Sequence, residues 1–330
     1  MLAEQLLSGL EGRGIRARVL SVRRLADVRE RIVRLHRDGR LDPEFYQERL
    51  TWFDFGPPES LPDARTIVVA TVPQSRVRLT FRWRSKVVPV LVPPTYLHWQ
   101  ATNRSVLDAV AELLAPHRFH AAAAALPVKT LVVHSGLGVY GRNNITYVPG
   151  LGSFHRPVAV YADLPCDDDS RQEPQIMASC EHCSACRRAC PTGAIGQDRF
   201  LLHAERCITF HNEKPGNVPF PEWVHPSWHE CLVGCLRCQR ACPQNKPVLN
   251  QTECGPEFNE EETALLLQGT TLEKAPASTM AKLRASDLVE YLDIMPRNLG
   301  VLLRNAEVQP ISEVLNDNAS GEDGSMQQRR

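Results

Sequence analysis

The chain has 330 residues, 43% of them hydrophobic, and 38 basic residues balance 38 acidic ones to a formal net charge of zero. That length exceeds what one core usually needs, so two domains, or one α/β domain with an insert, are expected. Zero net charge excludes a strongly basic nucleic-acid binder, and the lack of any apolar run of about 18 residues excludes a transmembrane helix.

The start, Met1–Gly14, is polar and amphipathic. It lacks the charged start and apolar core of a signal peptide, so a reducing cytoplasm is the expected location. Residues 1–60 are predicted as a helical region, because Leu20, Val22, Leu25, Val28, Ile32 and Leu35 recur at helical spacing. Pro57, Pro58 and Pro62 break it. The β-branched run Thr66–Val72 predicts a buried strand. A helix is predicted from Arg104 through Leu114, and Ala121–Ala125 extends a helix or sits in a tight core. Leu131–Val133 and Val158–Tyr161 are predicted as further short strands. Strands alternating with helices predict an α/β domain over 61–165.

Residues 166–250 differ, with ten of the eleven cysteines, many prolines and little periodicity. Metal rather than packing is expected to organise them. The chain then turns helical from Glu257 to about Asn305, so 251–310 is predicted as helices that complete the core. Residues 311–330, polar and rich in Gly, Ser and Gln, are predicted as a disordered tail.

In a reducing compartment, dense cysteine spacing indicates metal ligation rather than disulfides. The first motif is Cys180-x2-Cys183-x2-Cys186-x3-Cys190-Pro191. Three thiolates two residues apart wrap one 4Fe–4S cubane, and the fourth, before proline, ligates the other cluster. The second motif, Cys235-x2-Cys238-x3-Cys242-Pro243, lacks one ligand, for which Cys207 and Cys231 are candidates. The crossing gives Cys180, Cys183, Cys186 and Cys242 to one cluster, and Cys190, Cys235, Cys238 and one further cysteine to the other. A zinc ribbon has no use for the Cys-Pro crossing. Two clusters imply an electron source on one side and an acceptor on the other.

Several segments resemble epoxyqueuosine reductase, the cobalamin- and iron–sulfur-dependent family of tRNA queuosine synthesis that shares its core with the reductive dehalogenases. They are Pro191–Ile195, Arg206–Phe210 and Gly234–Asn245 around the cysteines, the glycine-rich stretch Gly136–Asn144, the Gly152-Ser153-Phe154 step, and Arg297–Ala306 near the end. The resemblance spans roughly residues 60 to 306. It makes Cys207 the missing ligand and leaves Cys166, Cys231 and Cys254 as structural thiols. It implies an α/β (α+β) cobalamin-binding-like domain with an inserted two-cluster ferredoxin-like domain. It also implies corrinoid contacts from Gly136, Gly138, Gly141, Arg142, Asn143, Asn144, Gly152 and Ser153.

One departure bears on the chemistry. The epoxide-reducing members carry an acidic proton donor in an Asp-x-x-Pro context, but the matching stretch here, Ala123–Thr130, has no acid. No Asp or Glu occurs from Leu113 to Ala162, while His117, Arg118, His120, Lys129, His134, Arg142, His155 and Arg156 do. This predicts a cationic pocket for an anionic cofactor or substrate, with Lys129, His134 or Tyr140 as proton donor. The competing reading is a buried core that disfavours acids.

The expected function is a reductase that passes electrons through two 4Fe–4S clusters to a cobalamin-type cofactor. Its electrons would come from a low-potential donor such as ferredoxin or flavodoxin, and its substrate would be a small molecule or a tRNA. The alternative is an electron-transfer protein or reductive activator of a corrinoid partner.

Overall fold

The run beginning at Thr66 is buried on both faces. In the computed structural model, residues 2–166, 169–197 and 199–308 are described. The chain opens with α1 (Leu2–Glu11), β1 (Arg16–Ser21), α2 (Leu25–Arg37) and α3 (Pro43–Arg49), and the run then forms β2 (Thr66–Pro73). Ile67 and Val69 point to one helical layer with Leu25 and Val28. Val68 and Ala70 point to the other, with Leu6 and Leu10. A strand sandwiched in this way needs apolar residues along both faces, which explains the run Ile67–Ala70 between two buried threonines. Ile67, Val68 and Val69 are 0% exposed, and each such side chain contributes roughly 1.5–3 kcal/mol of burial.

Next come β3 (Arg76–Trp83), β4 (Lys86–Val92), α4 (Trp99–Leu114), β5 (Ala121–Ala123), α5 (Val128–His134), β6 (Val139–Tyr140), β7 (Thr146–Tyr147) and β8 (His155–Ala162). The first sheet has the order β1-β2-β8-β5 and is antiparallel throughout. In β8, Ala159 and Tyr161 join the α2–α5 layer, and Val158 and Val160 join the α1–α4 layer.

The cysteine-rich segment contains only short helices, α6 (Ala185–Ala189), α7 (Ile208–Asn212) and α8 (Arg237–Arg240). After it come β9 (Thr252–Phe258), α9 (Glu260–Gln268), α10 (Ala277–Ala285) and α11 (Met295–Val308). β9 lies parallel to β3, giving a second sheet β4-β3-β9. Val77, Leu79 and Phe81 of β3 pack there with Phe258, Leu266, Leu283, Leu299 and Leu303. The C-terminal helices thus bury their own core against a hairpin from the first half of the chain. That hairpin turns through Arg84 and Ser85, both at positive φ (49° and 63°), as a two-residue type I′ connection requires.

Three expectations are corrected. The first 60 residues are not purely helical, since Arg16–Ser21 pairs with Thr66–Thr71. Leu20 and Val22 happen to continue the spacing of α2, which begins only at Leu25. Leu131–Val133 is helical rather than extended, because a short apolar run reads alike as strand or buried helix. Thr252–Phe258 is a strand that runs on past the expected helix start at Glu257. The predicted tail lies outside the described residues. Among the described residues, no helix is long and apolar enough to cross a membrane.

Candidate iron–sulfur and redox site

Cys180 and Cys183 fall on a turn that leads into α6, which carries Cys186. Together with Cys242 they line one small cavity, with Gly141, Arg142, Asn143 and Tyr147. Arg142 fastens the turn by donating from Nη2 to the Cys180 carbonyl at 2.8 Å. Burial pushes the Cys180 and Cys186 thiols up, and the Cys242 sulfur facing both adds to it. Thiols held in this way ionise when a cationic metal supplies the missing charge.

The remaining ligand candidates face one another in a second group. Burial raises the Cys207 thiol, with the Cys190 sulfur adding to it. Burial pushes Cys235 up to about 12, with Glu230 and Cys207 contributing. Cys238 stands well above the usual thiol range, from burial and then the sulfurs of Cys235 and Cys207. Cys242 thus lines the cavity of the first trio, and Cys190 lies in the field of Cys207. Cys231 is 2% exposed, and its backbone bridges to Leu91 in β4. None of the eleven cysteines is in a disulfide.

The two halves of the second group are tied together by α11. Arg297 donates to the carbonyls of Asn212 and Lys214 at 3.1 and 2.8 Å, and also to Pro215 and Val218. Asn298 Nδ2 donates to the carbonyls of Asn212 and Leu232, each at 2.8 Å. These bonds hold the segment after Cys207 against the segment before Cys235. They also satisfy backbone groups that no regular element serves.

The glycine-rich stretch lies beside the first cysteine group. Gly141, Arg142 and Asn143 border the first cysteine cavity. Asn143 Nδ2 donates to the Tyr147 hydroxyl at 3.1 Å, and that hydroxyl faces the Cys242 sulfur. A side chain on Gly138 would strike the Tyr147 carbonyl at 2.6 Å, and one on Gly136 would strike Gln172. Asn144 accepts from the Leu202 amide at 2.6 Å. Gly152, at φ +54°, leaves space for Asn245, whose Oδ1 accepts from the Ser153 amide at 2.9 Å. These residues hold the cluster segment to the α/β domain.

The three expected proton donors have different partners. His134 lies among Arg31, Arg171, Glu173 and Asp27, and burial lowers its pKa. Tyr140 donates to Thr130 Oγ1 at 3.3 Å and meets Phe200 edge-on. Lys129 lies in the field of Glu213 and Cys207. Its side chain keeps exposed surface, yet burial depresses its pKa. A side chain that is exposed yet closely surrounded by protein lines a concavity of the surface.

Two residues of that cleft had no motif to announce them. The Tyr96 hydroxyl donates to Glu213 Oε1 at 2.5 Å, and Arg49 Nη1 lies 3.2 Å from Glu213 Oε2. Burial raises the Glu213 carboxyl, against the opposing pull of Tyr96, Arg49 and Lys129. Tyr96 is raised well above its usual value by burial and then by Glu213. The only sequence signal was position, since Glu213 follows Cys207 by one short helix.

Residues 179–245 match the 4Fe-4S double cluster binding domain family. Epoxyqueuosine reductase of Synechococcus sp. (strain CC9605) is 32% identical over 124 residues, 38% of this chain and 37% of that protein. The enzyme of Francisella cf. novicida (strain Fx1) is 31% identical over 147 residues, covering 43% and 39%. The matched region thus spans less than half the length of these curated relatives. The structure of epoxyqueuosine reductase from Streptococcus thermophilus superposes with a TM-score of 0.63 at 17% identity, covering 92% of this chain and 83% of that one. A crystal structure of epoxyqueuosine reductase with an epoxyqueuosine-modified tRNA stem loop gives 0.62 at 20% identity, covering 92% and 80%. In its cluster domain, its matched sequence and its mixed α/β fold, the chain is epoxyqueuosine reductase-like.

Proposed function

We propose that this chain is an iron–sulfur reductase that acts with a corrinoid at the cleft beside Cys207. One observation carries the reading: the cysteines form two groups with the Cys-Pro members exchanged, and Lys129 and Tyr96 stand in the field of the second group. The donor chemistry fits two cubanes. Cys180, Cys183, Cys186 and Cys242 would hold one, and Cys190, Cys207, Cys235 and Cys238 the other. Burial disfavours the anions of Cys180, Cys186, Cys207, Cys235 and Cys238 until iron is present.

A corrinoid held beside Tyr96 and Lys129 would supply a strongly reducing cobalt centre. The chain's own part is positioning and shielding. In the segment after Cys207, Phe210 meets His211 at a tilt and Trp223 meets His211 edge-on, a set of rings that would shield a cluster there from water. Of the three expected proton donors, the reading keeps Lys129. A low-potential donor of the ferredoxin or flavodoxin kind would deliver electrons. The tRNA stem loop in the related complex makes a tRNA-borne epoxide the first substrate to test.

Anaerobic purification with iron, sulfide and corrinoid analysis tests the cofactors, and complementation of a queuosine-deficient strain tests the substrate. Protein that binds no corrinoid when offered cobalamin would end the corrinoid part of the reading.

A further inference from the structure

The cleft draws its carboxyl group from an unexpected place. No acid occurs between Leu113 and Ala162, so α5 and its flanks bring only Lys129 to the wall. Glu213 comes instead from the cluster segment, and both of its oxygens are engaged, one by Tyr96 and the other by Arg49.

The pair is rigidly held. The Tyr96 ring packs on Gly234, where an added Cβ would lie 2.6 Å from it. Its carbonyl accepts from the Tyr291 hydroxyl at 2.8 Å. Arg297 clamps the carbonyls on either side of Glu213, those of Asn212 and Lys214. Four groups set its charge balance: Arg49 from α3, Lys129 from α5, Tyr96 before α4 and Tyr291 before α11. Neighbouring Lys214 turns away to Glu44 at 2.5 Å. The Glu213 side chain is 22% exposed, so solvent can refill it.

We propose that Glu213 and Tyr96 form the proton source of the cleft, serving an oxygen-bearing anionic substrate whose charge is held by Lys129. This rests on the reductase reading above. In reductive cleavage of a carbon–oxygen bond, two electrons come from an external low-potential reductant and the bond breaks. The departing oxygen takes a proton from the Tyr96 hydroxyl, which turns away from Glu213 to reach it, and the Glu213 carboxyl, once protonated, reverses the hydrogen bond and gives its proton to the Tyr96 oxygen. Solvent reprotonates Glu213, and a second solvent proton balances the two electrons. Burial favours the protonated carboxyl while Arg49 and Lys129 favour the anion, so the group can both hold and release a proton.

The test has two readouts on the full chain with its clusters. The first is proton uptake per electron during anaerobic reduction at neutral pH, without substrate. Wild type should take up a proton as an electron enters the second cluster, in whose field Tyr96 and Lys129 lie, and Glu213→Gln should lose most of that uptake. Unchanged uptake in Glu213→Gln overturns the proposal. The second readout is single turnover, which Glu213→Gln and Tyr96→Phe should slow about 100-fold with iron content unchanged, the usual worth of a positioned acid. Wild type that takes up the proton but reduces no substrate sinks the reductase reading and leaves the proton source standing. Should Glu213→Gln lose iron, Tyr96→Phe is scored by the same readouts, and wild-type values for both overturn the proposal.

Discussion

Asn212 and Gly234 hydrogen-bond each other through both ends of one side-chain amide. Asn212 Nδ2 donates to the Gly234 carbonyl at 2.7 Å, and Asn212 Oδ1 accepts from the Gly234 amide at 3.0 Å. Asn212 ends the helix that follows Cys207, and Gly234 precedes Cys235. One buried amide thus sets the spacing of the two segments that frame the second cysteine group. Asn212→Leu keeps the shape and leaves two buried backbone groups without partners, each costing about 1–3 kcal/mol. Anaerobic unfolding should show that loss. Chelator challenge should strip about half of the iron faster than from wild type, and identical release curves would refute the role.

The ligand assignment separates Cys207 from Cys231. Cys207→Ala should drop iron from about eight to about four per chain, because one cubane loses a ligand. Cys231→Ala should keep about eight and cost only the packing of a small buried side chain. Iron and sulfide analysis decides, and the reverse pattern would move the fourth ligand to Cys231.

Tyr147 is expected to tune the first cluster. Its hydroxyl faces the Cys242 sulfur and is anchored by Asn143. A donor aimed at a ligand sulfur stabilises the reduced cluster and raises its potential. Tyr147→Phe should therefore shift one of the two midpoints in an EPR-monitored titration to a more negative value and leave the other in place. Two unmoved midpoints would show that the hydroxyl is merely packed there.

Stability should fall in mild acid because of His155. It is 2% exposed, its Nε2 faces the Thr146 carbonyl at 3.1 Å, and its Nδ1 has no hydrogen-bond partner among the described residues. Burial lowers its pKa to about 4. The unfolded chain takes the proton first, near pH 6.5, so stability is constant above that and declines as pH falls toward about 4. The full loss from this site is roughly 3 kcal/mol, at about 1.4 kcal/mol per pH unit. Urea unfolding at stepped pH should show the decline, and His155→Gln should make it shallower without abolishing it, since burial lowers His229 to about 4 as well.

How much was legible depends on how local each feature is. The β2 run was readable because a strand buried on both faces is filled with apolar and β-branched residues. The β3–β4 hairpin was missed although Val77, Leu79 and Phe81 alternate with polar residues. Its turn residues, Arg84 and Ser85, are not the Asn-Gly type that marks such a connection. Leu131–Val133 misled because an apolar triplet carries no period of its own.

The same distinction divides the site. Cys180, Cys183 and Cys186 announce a cluster by themselves, because ligands three residues apart wrap a cubane through local backbone geometry. The sequence alone therefore determined the chain's metal chemistry. Only the tertiary structure decided what stands beside it. Tyr96, Lys129, Cys207 and Glu213 lie far apart in the chain, and no spacing rule relates them. They meet because a hairpin, a sheet-packed helix and the side chains of Arg297 and Asn298 bring their segments together. Long-range packing and buried hydrogen bonds leave no periodic trace in a sequence.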